Sequence, residues 1–127
     1  MRLKKLFKEV PLIQSERLQL RKVSIEDMED LFRMYSNENM FTYRPGMVRK
    51  TKEMIEKLID TIWQEYERKE RVYLAVCQND NPNKVIGIGE IYDIDSRLEK
   101  ATIGYSIDEE YWGMGIATET VGMMIQY

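Results

Sequence analysis

Hydrophobic and polar positions follow two different periods along the chain. Residues 17–23 alternate between apolar and polar side chains, which predicts a β-strand. From residue 25 onward the apolar positions recur every three to four residues, which predicts a helix that ends near Ser36. Ser24 and Asp27 have the spacing of a capping box at the start of that helix. The first part of the chain is therefore predicted to be a strand followed by a helix.

A second, longer helix is predicted after an irregular segment. Residues 37–50 contain Pro45-Gly46 and show neither period, so we expect a long loop there. Thr51 is a candidate N-cap for a helix over residues 52–69. The apolar stripe of this helix, which we interpret as core packing rather than as a ligand groove, consists of Met54, Ile55, Leu58, Ile59, Ile62, Trp63 and Tyr66.

The second half of the chain predicts an antiparallel meander that leads into a last helix. Strands are expected over residues 72–78, 84–92 and 97–107, with turns at 79–83 and 93–96. Residues 116–127 have helical spacing, with Ala117, Val121, Met124 and Ile125 expected on one side. The element order β-α-α-β-β-β-α predicts an α+β domain with a mixed, mostly antiparallel sheet.

Composition and charge narrow the classes of function. A chain of 127 residues suits one domain, residues 1–127, and its net charge of -3 argues against nucleic acid as a partner. No apolar run approaches the roughly 18 residues of a membrane span, so we expect no membrane partner and no signal peptide. The basic residues Arg2, Lys4, Lys5 and Lys8 are interpreted as a solvated leader. Cys77 is the only cysteine, which excludes an internal disulfide and indicates a cytoplasmic protein.

Histidine is absent from the chain, and this excludes several kinds of site. A Ser-His-Asp triad, a Cys-His dyad and a His-ligated zinc site are all impossible. A thiolate zinc site is also impossible because there is one cysteine. We therefore expect no metal, and any catalysis has to use carboxylates, hydroxyls, lysine, backbone donors or a bound cofactor.

The turn before the last predicted helix has the features of an anion site. Gly113 and Gly115 lie where the chain leaves a strand and enters a helix, whose first turn has unpaired N–H groups. Ala117 has a small side chain that leaves space at the start of the helix, and Thr118 adds a hydroxyl donor in its first turn. A tight structural turn is an equally good interpretation of two glycines. A P-loop is excluded because no Gly-Lys-Ser/Thr follows, and a dinucleotide fold is excluded because the preceding strand belongs to a meander.

The segment from Ile103 to Glu119 resembles a family motif. Its I-G-Y-x-hydrophobic strand and its turn Tyr111-Trp112-Gly113-Met114-Gly115-Ile116-Ala117-Thr118 are similar to the ribosomal-protein-alanine N-acetyltransferase branch of the GNAT superfamily. The stretches SERLQLRKVSIEDMEDLF and RPGMVRKTKEMIEKLI also resemble that branch, so the likeness extends from Leu12 to Tyr127. It implies a three-layer fold with helices on both faces of the sheet.

The resemblance implies acetyl-CoA as co-substrate and a primary amine as acceptor. Tyr105, Ser106 and Ile107 would offer backbone groups to the pantetheine arm. The pyrophosphate would be held by backbone N–H groups of Trp112, Gly113, Met114, Gly115, Ile116, Ala117 and Thr118. The amine would attack the thioester directly, with a donor stabilising the oxyanion and a base removing a proton.

Side chains for the reaction are proposed from position. Glu90 is the candidate base, because alternation with Ile86 and Ile88 places a carboxylate on an otherwise apolar strand face. Its alternative is a solvated carboxylate near a strand end. The loop residues Phe41, Tyr43 and Arg44 are candidates to line the acceptor pocket, with surface or core packing as the alternative. Cys77 has no basic neighbour in its strand and is not expected to be a nucleophile.

Members of the resembled family continue beyond the helix that follows the glycine turn. The chain ends at Tyr127, so we expect a C-terminally incomplete N-acetyltransferase domain. The 97–107 strand would then have an open edge, which a second copy of the chain or further residues would cover. A non-catalytic CoA-binding or interaction module is the alternative function. A third, unrelated nucleotide-binding function remains open.

Overall fold

The computed structural model describes residues 3–127. Its four helices are α1 (Leu3–Leu6), α2 (Met28–Tyr35), α3 (Lys52–Glu67) and α4 (Ile116–Gln126). Its five strands are β1 (Ile13–Gln14), β2 (Leu18–Lys22), β3 (Val72–Gln78), β4 (Gly87–Asp95) and β5 (Lys100–Ile107). The two predicted helices in the first half, the meander and the last helix are all present.

The five strands form one sheet in the order β1-β2-β3-β4-β5. Every pair of neighbours is antiparallel, with Leu20 opposite Val76 and Glu90 opposite Gly104 as examples of the register. The predicted meander is therefore confirmed. Among residues 3–127, β5 is an edge strand, so alternate backbone groups along it point away from the sheet.

Helices cover both faces of the sheet, which confirms the α+β class and the three layers. One face packs against α2 and α3, and its buried residues include Leu31, Tyr35, Phe41, Ile55, Ile59, Ala75, Cys77 and Ile88. The other face packs against α1 and α4, and its buried residues include Leu3, Leu6, Leu20, Leu74, Val76, Ile91, Ile116 and Met124. Alternate residues of β3 contribute to each face, as the period of two in a strand requires.

Local signals set the starts of the helices. Ser24 and Asp27 form the predicted capping box, although the first turn, Ile25–Asp27, is a 3-10 helix and α2 begins at Met28. The Thr51 side chain accepts the N–H of Met54 at 3.2 Å and caps α3 as predicted. The predicted loop 37–50 contains two short 3-10 turns, Glu38–Phe41 and Pro45–Met47.

The N-terminal segment differs from the solvated leader that was predicted. Leu3 and Leu6 are buried in the core, and the Tyr66 hydroxyl donates to the carbonyl of Leu6 at 2.6 Å. The ammonium of Lys5 lies 5.0 Å from the ring centre of Tyr127. The basic side chains thus accompany a short apolar helix that closes one end of the core. Arg2, which was assigned to the same leader, lies outside the described residues.

Three further details correct the predicted elements. Strand β4 runs over Gly87–Asp95 rather than 84–92, so it includes most of the predicted turn 93–96, and β5 begins at Lys100 rather than at residue 97. Strand β1 was missed because it has only two residues. None of the helices in the described part of the chain is long and apolar enough to cross a membrane.

Candidate functional site

A cleft of about 410 Å³ lies where β5 leads into α4. The strand end and the following turn form one wall, and the loop after α2 forms another. Its lining residues are Met40, Arg44, Tyr105, Ser106, Ile107, Tyr111, Trp112, Gly113, Gly115, Ile116, Ala117 and Thr118. Nine of the ten residues that the resemblance assigned to CoA are among them. The tenth, Met114, lies in the same turn, and its side chain is half exposed.

The turn has a backbone that favours glycine. Gly113 has a φ of 80° and Gly115 a φ of 74°, which is the left-handed region that side chains disfavour. Gly115 is also the N-cap of α4. A Cβ added at Gly113 would meet no protein atom within 4 Å, so the open space beside it is available to a ligand.

Backbone donors converge on this turn. The first helical hydrogen bond of α4 runs from the Glu119 N–H to the Gly115 carbonyl at 3.1 Å. The N–H groups of Ile116, Ala117 and Thr118 precede it and are not used by the helix. Because the dipole of an 11-residue helix adds positive potential at the same point, the turn can bind an anion such as a phosphate.

Arg17 fixes the turn from the side away from the cleft. Its guanidinium donates to the Met114 carbonyl at 2.8 Å and to a carboxylate oxygen of Glu119. The hydroxyl of Ser15 donates to the other oxygen of Glu119 at 2.6 Å. Partial burial acts to raise the pKa of Glu119, but the bonds from Ser15 and Arg17 outweigh it and lower that pKa below its ordinary value. Sequence reasoning missed this network, because its partners lie about a hundred residues apart.

A second network ties the start of the turn to α2 and its loop. Asp108 is buried, and its carboxylate accepts from Arg33 at 2.9 Å and from the Glu110 N–H at 3.2 Å. Asn37 and the neighbouring Asn39 both donate amide N–H groups to Glu109. The turn is therefore held between the β2 side of the sheet and the loop that lines the cleft.

Glu90 lies beside the cleft and not at the surface. It is 1% exposed, so its solvated alternative is excluded. Arg71 donates to its Oε1 at 2.7 Å, and its Oε2 lies 3.9 Å from where a Cβ of Gly104 would stand. Gly104 immediately precedes the cleft-lining residues of β5. The structure thus brings the predicted base close to the strand that the resemblance assigns to the pantetheine arm.

The three predicted acceptor residues have different environments. Arg44 lines the cleft. Phe41 is 2% exposed and stacks on Tyr35 with ring centres 5.3 Å apart, so it belongs to the core. Tyr43 is 96% exposed. Neither aromatic is among the cleft residues, because the 3-10 turn Glu38–Phe41 directs Phe41 inward and leaves Tyr43 at the surface.

Other reactive groups are not organised as a site. Cys77 is buried, and burial raises the pKa of its thiol to about 11 despite the nearby Arg21. Such a thiol is almost entirely protonated near neutral pH and is a poor nucleophile. Within residues 3–127, no three His, Cys, Asp or Glu side chains are grouped so that they could hold a metal ion.

Comparison with known families identifies the family of the chain that contains this cleft. Residues 17–127 match the model of the acetyltransferase (GNAT) domain. The chain belongs to the GNAT acetyltransferase family. The predicted family is thereby confirmed, and the cleft occupies the segment that carried the resemblance.

Two curated relatives come from bacilli. The chain is 26% identical over 117 residues to the uncharacterized N-acetyltransferase YoaA of Bacillus subtilis (strain 168), covering 92% of this chain and 66% of the relative. It is 30% identical over 117 residues to the uncharacterized N-acetyltransferase p20 of Bacillus licheniformis, covering 89% of this chain and 63% of the relative. The chain thus spans less than two thirds of the length of the curated relatives it matches.

The GNAT fold is also found in solved structures. The ribosomal L7/L12 alpha-N-protein acetyltransferase RimL, in complex with coenzyme A, superposes with a TM-score of 0.75 at 19% identity. The match covers 91% of this chain and 66% of that chain. At this identity the likeness shows the fold, and it supports the arrangement of sheet and helices described above.

Proposed function

We propose that the protein is an acetyl-CoA-dependent N-acetyltransferase that acts on a primary amine. The observation that carries the proposal is the glycine turn, whose unpaired N–H groups stand at the end of a cleft beside an exposed strand edge. A phosphate-bearing ligand with a long polar arm suits this combination. Membership of the GNAT family and the coenzyme A in the RimL structure support the same ligand.

The residues of the cleft suit the parts of acetyl-CoA. The N–H groups between Gly113 and Thr118 would hold the pyrophosphate. The outward backbone groups of β5 at Tyr105 to Ile107 would pair with the amide groups of the pantetheine arm, as an added strand would. Acetyl-CoA supplies an activated thioester carbonyl. The strand would direct that end of the ligand toward Gly104 and Glu90.

Glu90 is proposed as the general base. Its Oε1 is held by Arg71, and its Oε2 is free to accept a proton from the acceptor ammonium through a water molecule. The amine nitrogen then forms a bond to the acetyl carbon, and the bond from that carbon to sulfur breaks. The sulfur leaves as a thiolate, and the second proton that the nitrogen gives up reaches it through solvent. A backbone N–H of β5 would stabilise the oxyanion in between.

The alternative is a chain that binds CoA without turnover. Calorimetry with acetyl-CoA, together with thiol release in the presence of a panel of primary amines, distinguishes the two. Binding with amine-dependent thiol release is the expected result. Acetyl-CoA binding without thiol release in the presence of any of the amines supports the alternative, and the absence of binding contradicts both.

Use of acetyl-CoA and the single buried thiol are consistent with our proposal of a cytoplasmic protein.

A charge placed in the glycine turn tests the pyrophosphate site. Gly113→Asp and Gly113→Asn add side chains of nearly equal size, and Asp and Asn both tolerate a positive φ. The Asp variant should bind acetyl-CoA more weakly than the Asn variant by on the order of tenfold or more, since only it repels the pyrophosphate. If both folded variants bound acetyl-CoA with equal affinity, the pyrophosphate would not lie at this turn.

A further inference from the structure

A second cavity, of about 490 Å³, lies on the face of the sheet that packs against α2 and α3. It is bounded by α3, by the segment before that helix and by the start of β3. Its lining residues are Met47, Arg49, Met54, Lys57, Leu58, Thr61, Glu65, Arg71 and Tyr73. A volume of this size suits a small molecule or the end of a peptide. We name it the α3 cavity.

The α3 cavity is linked to Glu90 through Arg71. Arg71 lines the cavity and donates to Glu90 at 2.7 Å. On the other side of Glu90 stands Gly104 of β5, next to the cleft residue Tyr105. The same loop contributes Arg44 to the cleft and its later residues to the cavity. Glu90 therefore lies between Arg71, which lines the cavity, and β5, which lines the cleft that the proposed function assigns to acetyl-CoA.

The pKa of the buried Tyr35 responds to charges from both the cleft and the α3 cavity. Burial is the main reason that the pKa of Tyr35 is raised. The negative charge of Glu90 and the nearby Tyr73 raise it further, whereas the positive charges of Arg49 and Arg44 lower it. Groups from the cleft, from the cavity and from the proposed base thus act on one buried hydroxyl.

In the described part of the chain, the α3 cavity contains one cation that is paired with carboxylates and two that are not. Arg71 is shared by Glu90 and by Glu65, whose carboxylate lies 3.5 Å away, so its charge is compensated. Arg49 and Lys57 have no carboxylate within 4.0 Å among residues 3–127. The cavity lining therefore contains one carboxylate, Glu65, and two cations, Arg49 and Lys57, that have no carboxylate partner within 4.0 Å among the described residues. In a chain of net charge -3, this is a local positive site.

We propose that the α3 cavity selects an acceptor amine that also carries an anionic group, a carboxylate or a phosphate. This rests on the proposed acetyl transfer. The ammonium lies toward Glu65 and Glu90, and the anionic group pairs with Arg49 and Lys57. One proton passes from the ammonium to Glu90 before the nitrogen bonds to the acetyl carbon, and the sulfur leaves as described above. The anionic group is retained unchanged in the product.

Matched acceptors test the charge selection. The amide-capped dipeptides Gly-Glu and Gly-Gln differ only in one charge, and so form the peptide arm. Phosphoethanolamine and ethanolamine form the small-molecule arm. The anionic member of at least one pair should have a kcat/KM on the order of tenfold higher at low salt, and the preference should fall in 0.5 M salt. The arm that shows the larger ratio identifies the carrier of the anionic group.

Lys57→Glu provides the decisive variant, because Lys57 is exposed on α3 and its replacement leaves the core intact. The preference should be lost or reversed, while the affinity for acetyl-CoA stays unchanged. Lys52→Glu is the control, since it makes the same charge change on the same helix outside the cavity. Equal kcat/KM within both pairs in the unmodified protein, or a preference that survives Lys57→Glu, overturns the inference.

A binding measurement keeps the inference independent of turnover. Calorimetry with each acceptor, in the presence of saturating CoA, should show tighter binding of the anionic member and its loss in Lys57→Glu. If CoA does not bind at all, the proposed function fails. If CoA binds and both members of each pair bind alike, the charge selection fails and the proposed function stands.

Discussion

Glu90 is a carboxylate almost without solvent in the middle of a sheet. An unpaired charge in such a position is strongly unfavourable, and the guanidinium of Arg71 at 2.7 Å compensates it. Arg71 in turn lies over the ring of Tyr92 at 4.4 Å, which holds the guanidinium in place. One oxygen of Glu90 is engaged and the other is left for a proton, which is the arrangement that a general base requires.

Replacing Glu90 by glutamine tests this role. Glu90→Gln keeps the size of the side chain and removes its basicity, so the turnover number should fall by about a hundredfold or more while acetyl-CoA binds as before. Glu65→Gln is the comparison variant, because Glu65 pairs with the same Arg71 but lies on α3 and not in the sheet. It should retain most of the turnover number at saturating amine, while the KM for the amine should rise because Glu65 lines the α3 cavity. If both variants lost turnover equally, the loss would be attributed to their shared partner Arg71 and not to a general base at Glu90.

Glu119 should make the stability of the fold depend on pH. Its folded pKa is lowered, so the carboxylate contributes stability above its unfolded pKa of about 4.5 and loses it as the pH falls through the folded pKa. The carboxylate is partly exposed, and its partner Arg17 is half exposed, so the contribution should be at most about 1 kcal/mol. In Glu119→Gln the melting temperature should fall slightly at pH 7, and the difference from the unmodified protein should shrink as the pH falls below 4.5 and through the folded pKa. A difference that is constant with pH would exclude the carboxylate as its source.

At the scale of elements, the close packing of α4 on the sheet brings the glycine turn to the edge of β5. Gly89 of β4 makes this approach possible, since a Cβ there would lie 2.9 Å from the sulfur of Met124. Thr120 of α4 also packs over Gly89, with its methyl group 3.6 Å from the same point. The position of the helix start, and hence of the anion site, depends on this contact.

Two glycine-to-alanine changes separate packing from helix propensity. Gly122 lies on an open side of α4 with no atom within 4 Å of an added Cβ, so Gly122→Ala should stabilise the fold by about 0.5–1 kcal/mol. Gly89→Ala should destabilise it by about 1–3 kcal/mol, because Met124 has to move. Chemical denaturation of both variants measures the two changes in the free energy of unfolding, which should have opposite signs. A destabilised Gly122→Ala variant would contradict the packing of α4 described above.

Elements with a strong local pattern were predictable, and those that depend on distant contacts were not. The capping box at Ser24 and the stripe of α3 correctly placed two helices. Helix α1 has four residues, fewer than a helix needs to form alone, and is held by the burial of Leu3 and Leu6. On α4 the buried residues include the polar Thr120, whereas Ile125, which the sequence groups with Met124 on one side of the helix, is exposed.

At the scale of the molecule, the site is assembled from segments far apart in the chain. The glycine turn was predictable because its motif is continuous. Its supports were not, since Arg17 lies 102 residues from Glu119 and Arg33 lies 75 residues from Asp108. The sequence contains these residues but no local signal that pairs them. The cleft, the turn and the proposed base therefore depend on long-range contacts within the fold, and ligand binding should be coupled to global stability.

Cys77 provides a probe of that coupling. It is buried in β3, the central strand, and its pKa of about 11 leaves roughly a thousandth of it as thiolate at pH 8. Because Cys77 is also buried, an alkylating reagent should reach it only when the fold opens, so its modification should be at least about a hundredfold slower in the folded protein than in denaturant.

Acetyl-CoA should slow this modification further. If Cys77 becomes accessible only when the sheet unfolds, and the unfolded chain does not bind the ligand, the rate falls by the factor one plus the ligand concentration over its Kd. At ten times the Kd the modification should be about elevenfold slower. Pantetheine, which lacks the pyrophosphate, should protect less at the same concentration, because it cannot use the N–H groups around Gly115. Modification that is unaffected by saturating acetyl-CoA would mean that β3 opens while the cleft remains formed, and the sheet would then not be a single cooperative unit.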